Sequence, residues 1–178
     1  PADSATPGQV EKLNIMAEFI DYVLSLVDVS QLKNFKVVAD PANGMVGPIL
    51  EKLQSKLPTI SFVPMYWDVD GNFPNHGGDP LLEPNRVDIQ ARVPVENADL
   101  GIMFDPDGDR FFVIDNQGRF ISGDFLTAIL SRYFLRQYPG CSIVYDIRAS
   151  KAVRETISAL GGKALANRVG HTHIKARM

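Results

Sequence analysis

Apolar residues in the first part of this chain recur with the spacing of a helix. From Val10 onward they return every three or four positions, which predicts an amphipathic helix that ends near Asp28. Thr6, Pro7 and Gln9 stand in the order of a helix-capping sequence, with a hydroxyl to cap the first turn and a proline inside it. We therefore expect this helix to be the first folded element, after a short lead-in.

Beyond that helix, short apolar runs alternate with stretches of helical spacing. Strands are predicted at 36–40, 60–67, 100–104, 111–115, 120–121, 142–146 and 163–166, and helices at 46–57, 85–93, 124–138 and 150–160. Pro64 indicates that the second strand lies at a sheet edge or is distorted, because proline has no N–H for a strand partner. A hairpin turn at 116–119 adds antiparallel strands to the alternating series. The pattern predicts an α/β fold with a mixed sheet.

A second strand-helix-strand unit of similar design follows the hairpin. We expect residues 1–9 to be a lead-in, 10–119 to form one βαβ domain and 120–178 to form an incomplete second one. Because the sheet of the incomplete domain lacks further strands, its open edges favour self-association. The helix at 124–138 is expected to pack through its large apolar side chains, which are Phe125, Ile129, Leu130, Tyr133 and Phe134.

Composition and charge exclude several classes of protein. The 178 residues are 45% hydrophobic and 22% charged, as expected for a packed globular protein. The net charge is -3 and the basic residues form no cluster, which excludes a binder of duplex nucleic acid. The one cysteine can form neither a disulfide framework nor a zinc site. No apolar stretch approaches the ~18 residues of a membrane span and no signal peptide is visible, so we expect a cytoplasmic protein.

The chemistry of the chain is concentrated in the acidic loop, the segment Asp-Pro-Asp-Gly-Asp-Arg at 105–110. On a straight strand its first and last carboxylates would lie ~13 Å apart, too far for one ion to bridge. Pro106 and Gly108 break the strand, and in a tight loop all three carboxylates can meet. Converging carboxylates repel one another without a cation, and a site with few protein ligands suits Mg²⁺, which retains water and substrate oxygens. We therefore predict Mg²⁺ ligation by Asp105, Asp107 and Asp109.

Two other interpretations of the acidic loop are an exposed acidic turn and a calcium loop of the EF-hand type. The calcium loop requires Gly at its sixth position and Glu at its twelfth. Counted from Asp105, these positions hold Arg110 and Asn116, and the flanks have strand rather than helix patterns. The calcium interpretation is therefore disfavoured, whereas the acidic turn stays open on the residues alone.

Four motifs, in order along the chain, give it a resemblance to a known family. The acidic loop resembles the metal loop of the α-D-phosphohexomutases, which is usually Asp-Gly-Asp-Gly-Asp-Arg or Asp-Pro-Asp-Ala-Asp-Arg. Asp-Pro-Ala-Asn-Gly at 40–44 resembles the start of that family's second domain, and Phe-Pro-Asn-His at 73–76 resembles a stretch within it. Residues 169–175 resemble a Gly-His-Ser-x-Ile-Lys stretch of the third domain. The chain thus resembles a phosphomannomutase/phosphoglucomutase fragment that covers the second domain and the first part of the third.

The resemblance implies a four-domain enzyme that interconverts sugar 1-phosphates and 6-phosphates through a bisphosphorylated sugar. A phosphoserine in the family's first domain donates and recovers the phosphoryl group, and its oxygen would complete the Mg²⁺ shell of the three aspartates. The substrate is then a phosphorylated hexose. The chain starts at Pro1 without Met and stops at Met178 just after an expected helix start, so we expect it to be cut at both ends. Without the phosphoserine, we expect it to be inactive alone.

Carried over to this sequence, the resemblance implies roles for four further residues. Arg110 would contact the phosphoserine phosphate through its planar guanidinium fork. Arg148 stands where relatives often have Lys, and it would stabilise charge rather than transfer a proton, because a guanidinium is a poor proton donor or acceptor. Gly170 and His171 stand at an expected helix N-terminus, where they would bind substrate, and His171 could also move a proton. Solvated arginines and a structural histidine stay open on the residues alone.

Several departures from the family's pattern leave the sugar and the subfamily open. The family's phosphoserine loop, sugar-binding loop and fourth domain have no counterpart here, and Pro106 and Gly108 come from two branches of the metal loop. A phosphoglucosamine mutase and a non-catalytic metal- or phosphate-binding module are therefore alternatives. A phosphatase of another aspartate-loop family would use Asp105 as its nucleophile, but its downstream lysine and second acidic motif are not evident. His76 is expected to order a loop and His173 to lie on a helix surface.

Overall fold

The computed structural model describes residues 8–178, and from residue 35 onward it follows the predicted series of strands and helices. The strands are β1 Phe35–Asp40, β2 Ile60–Pro64, β3 Leu100–Phe104, β4 Phe111–Asp115, β5 Phe120–Ile121, β6 Ser142–Asp146 and β7 Lys163–Asn167. The α-helices are α1 Met16–Ser25, α2 Gly47–Lys56, α3 Glu83–Val95, α4 Gly123–Gln137, α5 Lys151–Ala159 and α6 His171–Arg177. A short 3₁₀ turn spans Val29–Gln31.

The first sheet is mixed, as the sequence predicts, and has the strand order β2-β1-β3-β4-β5. β2, β1 and β3 are parallel, and β3, β4 and β5 form an antiparallel meander. β2 is an edge strand that ends at Pro64, three residues before the expected end at Trp67, which agrees with the inability of proline to donate within a ladder. β5 belongs to this sheet, so the sheet extends past the expected domain boundary to Ile121.

Helices cover both faces of the first sheet because successive strand residues point to opposite sides. On one face, α3 packs on the strands through Ile89 and Val93, which are fully buried with Val38 and Ile114. On the other face, α2 packs through Leu50. The sheet is therefore the middle layer of a three-layer unit. The loops that follow its strands begin and end in strands or helices that are packed into this unit.

The first helix is shorter than predicted. It begins at Met16 rather than near Val10, and it ends at Ser25 rather than near Asp28. Val10 and Leu13 are 92% and 84% exposed. A short helix gains most of its stability from packing of its apolar face, and these two side chains pack too little to extend it.

The start of the first helix has a local cap. The side-chain oxygen of Asn14 accepts a hydrogen bond from the Met16 N–H at 3.1 Å, which satisfies a donor that the helix leaves free. Gln9, expected in the capping sequence, lies outside any helix. The other two capping residues, Thr6 and Pro7, lie outside the described residues.

The C-terminal lobe contains a parallel two-stranded sheet of β6 and β7, with α5 packed against it. α4 packs on α5 through a narrow stripe of Ala128, Ser131 and Leu135. The prediction that α4 packs through its large apolar side chains is wrong within this chain. Those side chains are exposed because α5 covers only one stripe of a helix that is apolar on several sides: Phe125, Ile129, Leu130, Tyr133 and Phe134.

None of the helices within residues 8–178 combines the length and apolarity needed to cross a membrane. The longest of them, α4, has 15 residues.

Candidate metal centre

The acidic loop leaves the first sheet where the parallel strands have their carboxyl ends. Asp40, the last residue of β1, pairs with Met103 of β3, so the loops that follow these strands emerge side by side. Gly108 has a φ of +74°, which glycine adopts without a Cβ penalty, and its N–H donates to the Asp105 carbonyl at 3.0 Å. The Asp105 N–H donates to the Arg110 carbonyl at 3.3 Å, which closes the loop between β3 and β4.

The loop brings its three carboxylates together. Asp105, Asp107 and Asp109 each offer one oxygen, and these oxygens all lie within 4.8 Å of one another. Asp105 is fully buried, whereas Asp107 and Asp109 are exposed, so an ion held here would be open to solvent on one side. Three hard oxygen donors with open positions for water or substrate match the preference of Mg²⁺. The donor set therefore fits the expected magnesium ion.

Arg110 lies against the carboxylates of the loop. Its Nε is 2.6 Å from Oδ2 of Asp105 and 3.4 Å from Oδ1 of Asp109, and its backbone N–H donates to Oδ1 of Asp105 at 3.0 Å. Burial on its own raises the pKa of Asp105, but the hydrogen bonds and the charge of Arg110 hold that pKa below its usual value of 3.8. Asp105 is therefore ionised at neutral pH, as a metal ligand must be.

Two neighbouring loops enclose Pro106 of the acidic loop. Gly44, in the loop after β1, lies so close that a Cβ on it would be 2.4 Å from the Pro106 carbonyl oxygen. The Met45 N–H donates to the same oxygen at 2.8 Å. On the other side, a Cβ on Gly78 would be 2.2 Å from Cγ of Pro106. The glycines of two motifs that are distant in sequence thus leave room for the acidic loop between them.

A buried ion pair joins these two neighbouring loops. The His76 side chain is 6% exposed, and its Nε2 lies 2.9 Å from Oδ2 of the fully buried Asp40. Its Nδ1 lies 2.9 Å from the Gly77 carbonyl oxygen. Burial alone lowers the pKa of His76, but the hydrogen bonds to Asp40 and Gly77 and the charge of Asp40 outweigh it, so the pKa is raised above 6.5. Both acceptors are satisfied when both ring nitrogens carry protons, which is the charged form.

An amide pair runs beside the ion pair. Asn75 donates through Nδ2 to Oδ1 of Asn43 at 2.8 Å, and Asn43 donates through its own Nδ2 to the Asp68 carbonyl at 2.8 Å. Reasoning from the sequence assigned His76 a loop-ordering role but did not identify its partner Asp40 or this amide pair. The available signal was an aspartate at the end of a buried strand, a position where a charge requires a partner.

Arg148 lies in a different place from the acidic loop. Its Nη2 is 2.7 Å from Oδ2 of Asp146, its backbone N–H donates to Oδ1 of the same residue, and its side chain is 73% exposed. It lines an open cleft of about 600 Å³ whose other lining residues include Asp124 and Ile174. None of the three metal-loop aspartates lines that cleft. Within the described residues, the structure does not bring Arg148 into contact with the predicted ligands.

His171 is the first residue of α6, and Gly170 precedes it with a φ of +118°. The expected helix start is therefore present, and the positive φ accounts for a glycine at that position. His171 is exposed and does not line the cleft of Arg148, although Ile174 of the same helix does. His173, expected on a helix surface, is half-buried, and its N–H donates to the Gly170 carbonyl at 3.1 Å.

Comparison with known protein families gives two matches in consecutive segments of the chain. Residues 17–118 match the family described as phosphoglucomutase/phosphomannomutase, alpha/beta/alpha domain II. Residues 122–178 match the family described as phosphoglucomutase/phosphomannomutase, alpha/beta/alpha domain III. The acidic loop and its two neighbouring loops all fall within the first match.

Individual relatives agree with these matches. A phosphomannomutase/phosphoglucomutase of Pseudomonas aeruginosa is 37% identical over 171 residues, which cover 96% of this chain and 36% of that protein. A phosphomannomutase of Salmonella typhimurium is 32% identical over 182 residues, which cover 100% of this chain and 40% of that protein. The chain therefore spans about two fifths of the length of the curated relatives it matches.

Solved structures have the same fold. A phosphoglucomutase/phosphomannomutase family protein from Burkholderia thailandensis superposes with a TM-score of 0.80 at 31% identity, over 94% of this chain and 36% of that one. A putative phosphomannomutase from Thermus thermophilus also gives a TM-score of 0.80, at 18% identity, over 94% of this chain and 39% of that one. At that lower identity the likeness concerns the fold alone.

Proposed function

The chain belongs to the phosphoglucomutase/phosphomannomutase family, and on that premise we propose that it supplies the metal-binding part of an enzyme that interconverts hexose 1-phosphates and 6-phosphates. The observation that carries the proposal is the convergence of Asp105, Asp107 and Asp109 in a segment that matches the family. The substrate is a phosphorylated hexose, and the reaction is an isomerisation by phosphoryl transfer.

In this proposal the three aspartates hold Mg²⁺, which supplies neutralisation of negative charge on the transferring phosphoryl group. The backbone N–H of Arg110 donates to Oδ1 of Asp105 at 3.0 Å and helps to fix the direction of that carboxylate. Asp107 and Asp109 are exposed, and their oxygens can adjust when a phosphate approaches. With the ion bound, a phosphoserine oxygen from a further domain would be the additional ligand that the family resemblance implies.

Arg110 has a second task in the proposed reaction. Its side chain is 51% exposed even though Nε is engaged with Asp105 and Nη1 lies 4.0 Å from Oδ1 of Asp79, so the outer guanidinium nitrogens can reach a phosphate. A planar guanidinium can bind two phosphate oxygens at once, which fixes the orientation of the group to be transferred. Arg110 thereby connects the metal ligands to the phosphoserine that donates the phosphoryl group.

Arg148, Gly170 and His171 bind the sugar phosphate in the complete enzyme. Arg148 lies on the rim of an open cleft and keeps its charge at all relevant pH values. The phosphoryl group passes from the phosphoserine to a free hydroxyl of the bound sugar monophosphate: the P–O bond to the serine breaks as the P–O bond to the sugar forms, and the hydroxyl proton passes through His171 to the released serine oxygen. The sugar bisphosphate then returns its other phosphoryl group to the serine, so no phosphate is consumed.

A chimera tests this proposal. Residues 17–178 would replace the matching residues of the Pseudomonas aeruginosa phosphomannomutase/phosphoglucomutase, which supplies the remaining domains. Conversion of mannose 1-phosphate to mannose 6-phosphate is followed by ³¹P NMR with Mg²⁺ and a trace of sugar bisphosphate. We expect turnover by the chimera, and a loss of about 10²-fold or more in its Asp107→Asn variant, because a misplaced metal raises the barrier to transfer. The isolated chain, which carries no phosphoserine donor, should give none.

The matched control is Asp21→Asn, which removes an exposed carboxylate of α1 that lies outside the acidic loop. This variant should retain the activity of the chimera. A chimera that unfolds cooperatively by circular dichroism but turns over no substrate would overturn the proposal, as would an Asp107→Asn variant with full activity. Turnover by the purified isolated chain would refute the separate expectation that it is inactive alone.

A further inference from the structure

Pro106 is a contact point between the acidic loop and two neighbouring loops. It lies between Gly44 and Gly78, which belong to two loops separated by more than thirty residues of sequence. On the Gly44 side the contact includes a hydrogen bond from the Met45 N–H to the Pro106 carbonyl. The direction of Asp105 and Asp107, the residues on either side of Pro106, therefore depends on the spacing between the two loops.

Two side-chain bridges set that spacing. The ion pair of Asp40 with His76 joins the end of β1 to the loop that contains Gly78, and the amide pair of Asn43 with Asn75 runs beside it. Next to His76, the Gly77 N–H donates to Oδ1 of Asn85 at 3.1 Å. Asn85 lies in α3, so the segment of His76 and Gly77 is tied to the sheet through His76 and to the helix that covers it through Gly77.

Backbone strain is found in the two loops that enclose Pro106. Ala42 and Asn43 have φ values of +52° and +56°, and Tyr66 and Phe73 have values of +54° and +49°. Residues with a Cβ rarely adopt such values, and these conformations persist only where surrounding bonds enforce them. The Ala42 N–H donates to Oδ1 of Asp40 at 2.8 Å, so the aspartate of the ion pair also holds the strained turn.

We propose that His76 and Asp40 are positioning residues that hold the acidic loop in its metal-binding shape. The pair acts through Pro106 and not by ligation, because neither side chain is among the converging carboxylates. This inference rests on the proposed function, in which the acidic loop binds Mg²⁺. It assigns a task to a buried charge pair that the phosphoryl-transfer scheme does not use.

The experiment compares the wild-type chain with His76→Gln in two measurements. The first is the affinity for Mn²⁺, followed by EPR as a substitute for Mg²⁺. The second is amide hydrogen exchange at Met45 and Gly108, whose N–H groups make the bonds that define the loop. We expect His76→Gln to weaken Mn²⁺ binding about tenfold and to lower protection at both amides by a similar factor, while the amides of β3 and β4 keep theirs.

Asp40→Asn provides a second variant at the other end of the same bridge, useful if His76→Gln fails to fold. Asp40→Asn should lower Mn²⁺ affinity and protection of the two amides by a similar factor. The double variant should lose no more of either than a single variant does, because both substitutions remove the same bridge. His173→Gln is the matched control for the histidine change, since it lies in α6, and it should leave Mn²⁺ affinity and both amides unchanged.

The outcomes separate this inference from the metal site itself. If the wild-type chain binds no Mn²⁺, the metal proposal is tested in the chimera that carries the phosphoserine domain, and hydrogen exchange at Met45 and Gly108 in the chain still decides whether the pair positions the loop. If wild-type protection at those amides persists in His76→Gln, the positioning role is refuted. A loss of protection spread equally over the acidic loop, β3 and β4 also refutes it, because the pair would then stabilise the whole domain without a specific effect on the loop.

Discussion

Gly78 lies directly against Pro106, and a Cβ added to Gly78 would be 2.2 Å from Cγ and 2.8 Å from Cδ of that proline. The two residues are 28 positions apart in sequence, and they belong to different motifs. Contacts this short do not occur between real carbon atoms, so any larger residue at position 78 must displace the proline or its own loop. The position of the metal ligands thus depends on a glycine that has no side chain with which to bind the ion or the substrate.

The first prediction concerns Gly78→Ala. We expect the added methyl group to move Pro106, to weaken Mn²⁺ binding by about tenfold, and to destabilise the fold by ~1–3 kcal/mol, as overpacking usually does. The measurements are EPR titration and urea unfolding. Gly71→Ala is the control in the same loop, because a Cβ there meets nothing within 4 Å. Equal Mn²⁺ affinity in the Gly78 variant and the wild type would contradict the prediction.

The second prediction concerns Arg110→Met. Arg110 neutralises part of the charge on Asp105 and Asp109, so its removal leaves the carboxylates more negative. We expect Mn²⁺ to bind a few-fold more tightly, because one nearby charge changes an exposed site by about 1 kcal/mol. The same substitution in the chimera should abolish phosphoryl transfer, since the phosphate loses its guanidinium contact.

Opposite effects on binding and on turnover distinguish this role from general damage to the loop. Arg119→Met removes an arginine that is paired with Asp115 in the adjacent hairpin, and it should change neither quantity by more than about twofold. Weaker Mn²⁺ binding in Arg110→Met would instead mean that the guanidinium is needed to hold Asp105 in place.

The strands and the acidic loop could be predicted because their information is local. Pro106 and Gly108 end β3 at fixed positions, and the tight loop that results predicts that the alternating aspartates converge. The structure agrees, since one carboxylate oxygen of each aspartate lies within 4.8 Å of the others. Pro64 predicted that β2 lies at a sheet edge or is distorted, and β2 is an edge strand; this too is local information, since a missing N–H is a property of one residue.

The features that could not be predicted depend on residues that are distant in sequence. The pair of Asp40 with His76 joins positions 36 apart, and no periodicity of either segment specifies the other. The start of the first helix was wrong because apolar spacing indicates a possible helical face but not whether anything packs on it, and Val10 is almost fully exposed. The same reason explains the exposed apolar residues of α4.

The third prediction concerns the pH dependence of stability. Burial lowers the pKa of His76, but its bonds to Asp40 and Gly77 and the charges of Asp40 and Asp88 raise it more, so the folded pKa lies above the usual 6.5. The Tyr66 ring also packs against the His76 imidazole, with the ring centroids 5.4 Å apart. A raised histidine pKa gives a stabilisation that is fully present below the unfolded pKa and is lost as pH rises through the folded pKa.

We therefore expect the difference in unfolding free energy between the wild type and His76→Gln to be largest near about pH 6 and to shrink toward about pH 9. Urea unfolding at several pH values measures it. When His76→Gln is introduced into Asp40→Asn, its effect on the unfolding free energy should depend much less on pH, because the neutral amide no longer favours the charged imidazole. A difference that grows with pH would show that His76 is neutral in the folded chain.

The fourth prediction concerns self-association of the chain through α4. Six large apolar side chains of this segment are between 44% and 61% exposed: Phe125, Ile129, Leu130, Tyr133, Phe134 and Tyr138. Since an aromatic side chain covers ~150–250 Å², the exposed area amounts to several hundred Å², which is the size of the largest apolar patches on typical monomers, and such patches often mark interaction sites. In a solution of the purified chain, another copy is the available partner.

We expect sedimentation velocity to show a dimer whose fraction rises with concentration. Ile129→Lys and Tyr133→Lys should shift the equilibrium toward monomer, because a charge would have to be buried in the contact. Gln137→Lys adds the same charge at an exposed polar position of α4 and should have little effect. A wild-type chain that stays monomeric up to about 100 μM would refute the prediction, because that concentration is well above the dissociation constant of a standard-size interface.

The last prediction is the most direct test of the metal centre, and it uses Asp107→Asn. Asp107 is an exposed aspartate whose carboxylate oxygen lies near those of Asp105 and Asp109. Replacing it by Asn removes one negative charge and keeps the size of the side chain, so the loop should keep its shape. We expect the wild-type chain to bind about one equivalent of Mn²⁺ and the variant to bind at least tenfold more weakly, because hard cations favour carboxylate oxygens.

Substitutions at exposed positions usually change stability by less than about 0.5 kcal/mol, so we expect Asp107→Asn to fold as the wild type does. Urea unfolding of both proteins measures this directly. Asp21→Asn is the control for the removal of one exposed carboxylate elsewhere. Equal binding by the wild type and Asp107→Asn would contradict ligation by Asp107. The same two sequences would then be compared in a protein that also carries the phosphoserine domain. If the wild type now binds Mn²⁺ more tightly than Asp107→Asn, the three aspartates need the phosphoserine oxygen as a fourth ligand to hold the ion. If the two still bind equally, the loop is an exposed acidic turn.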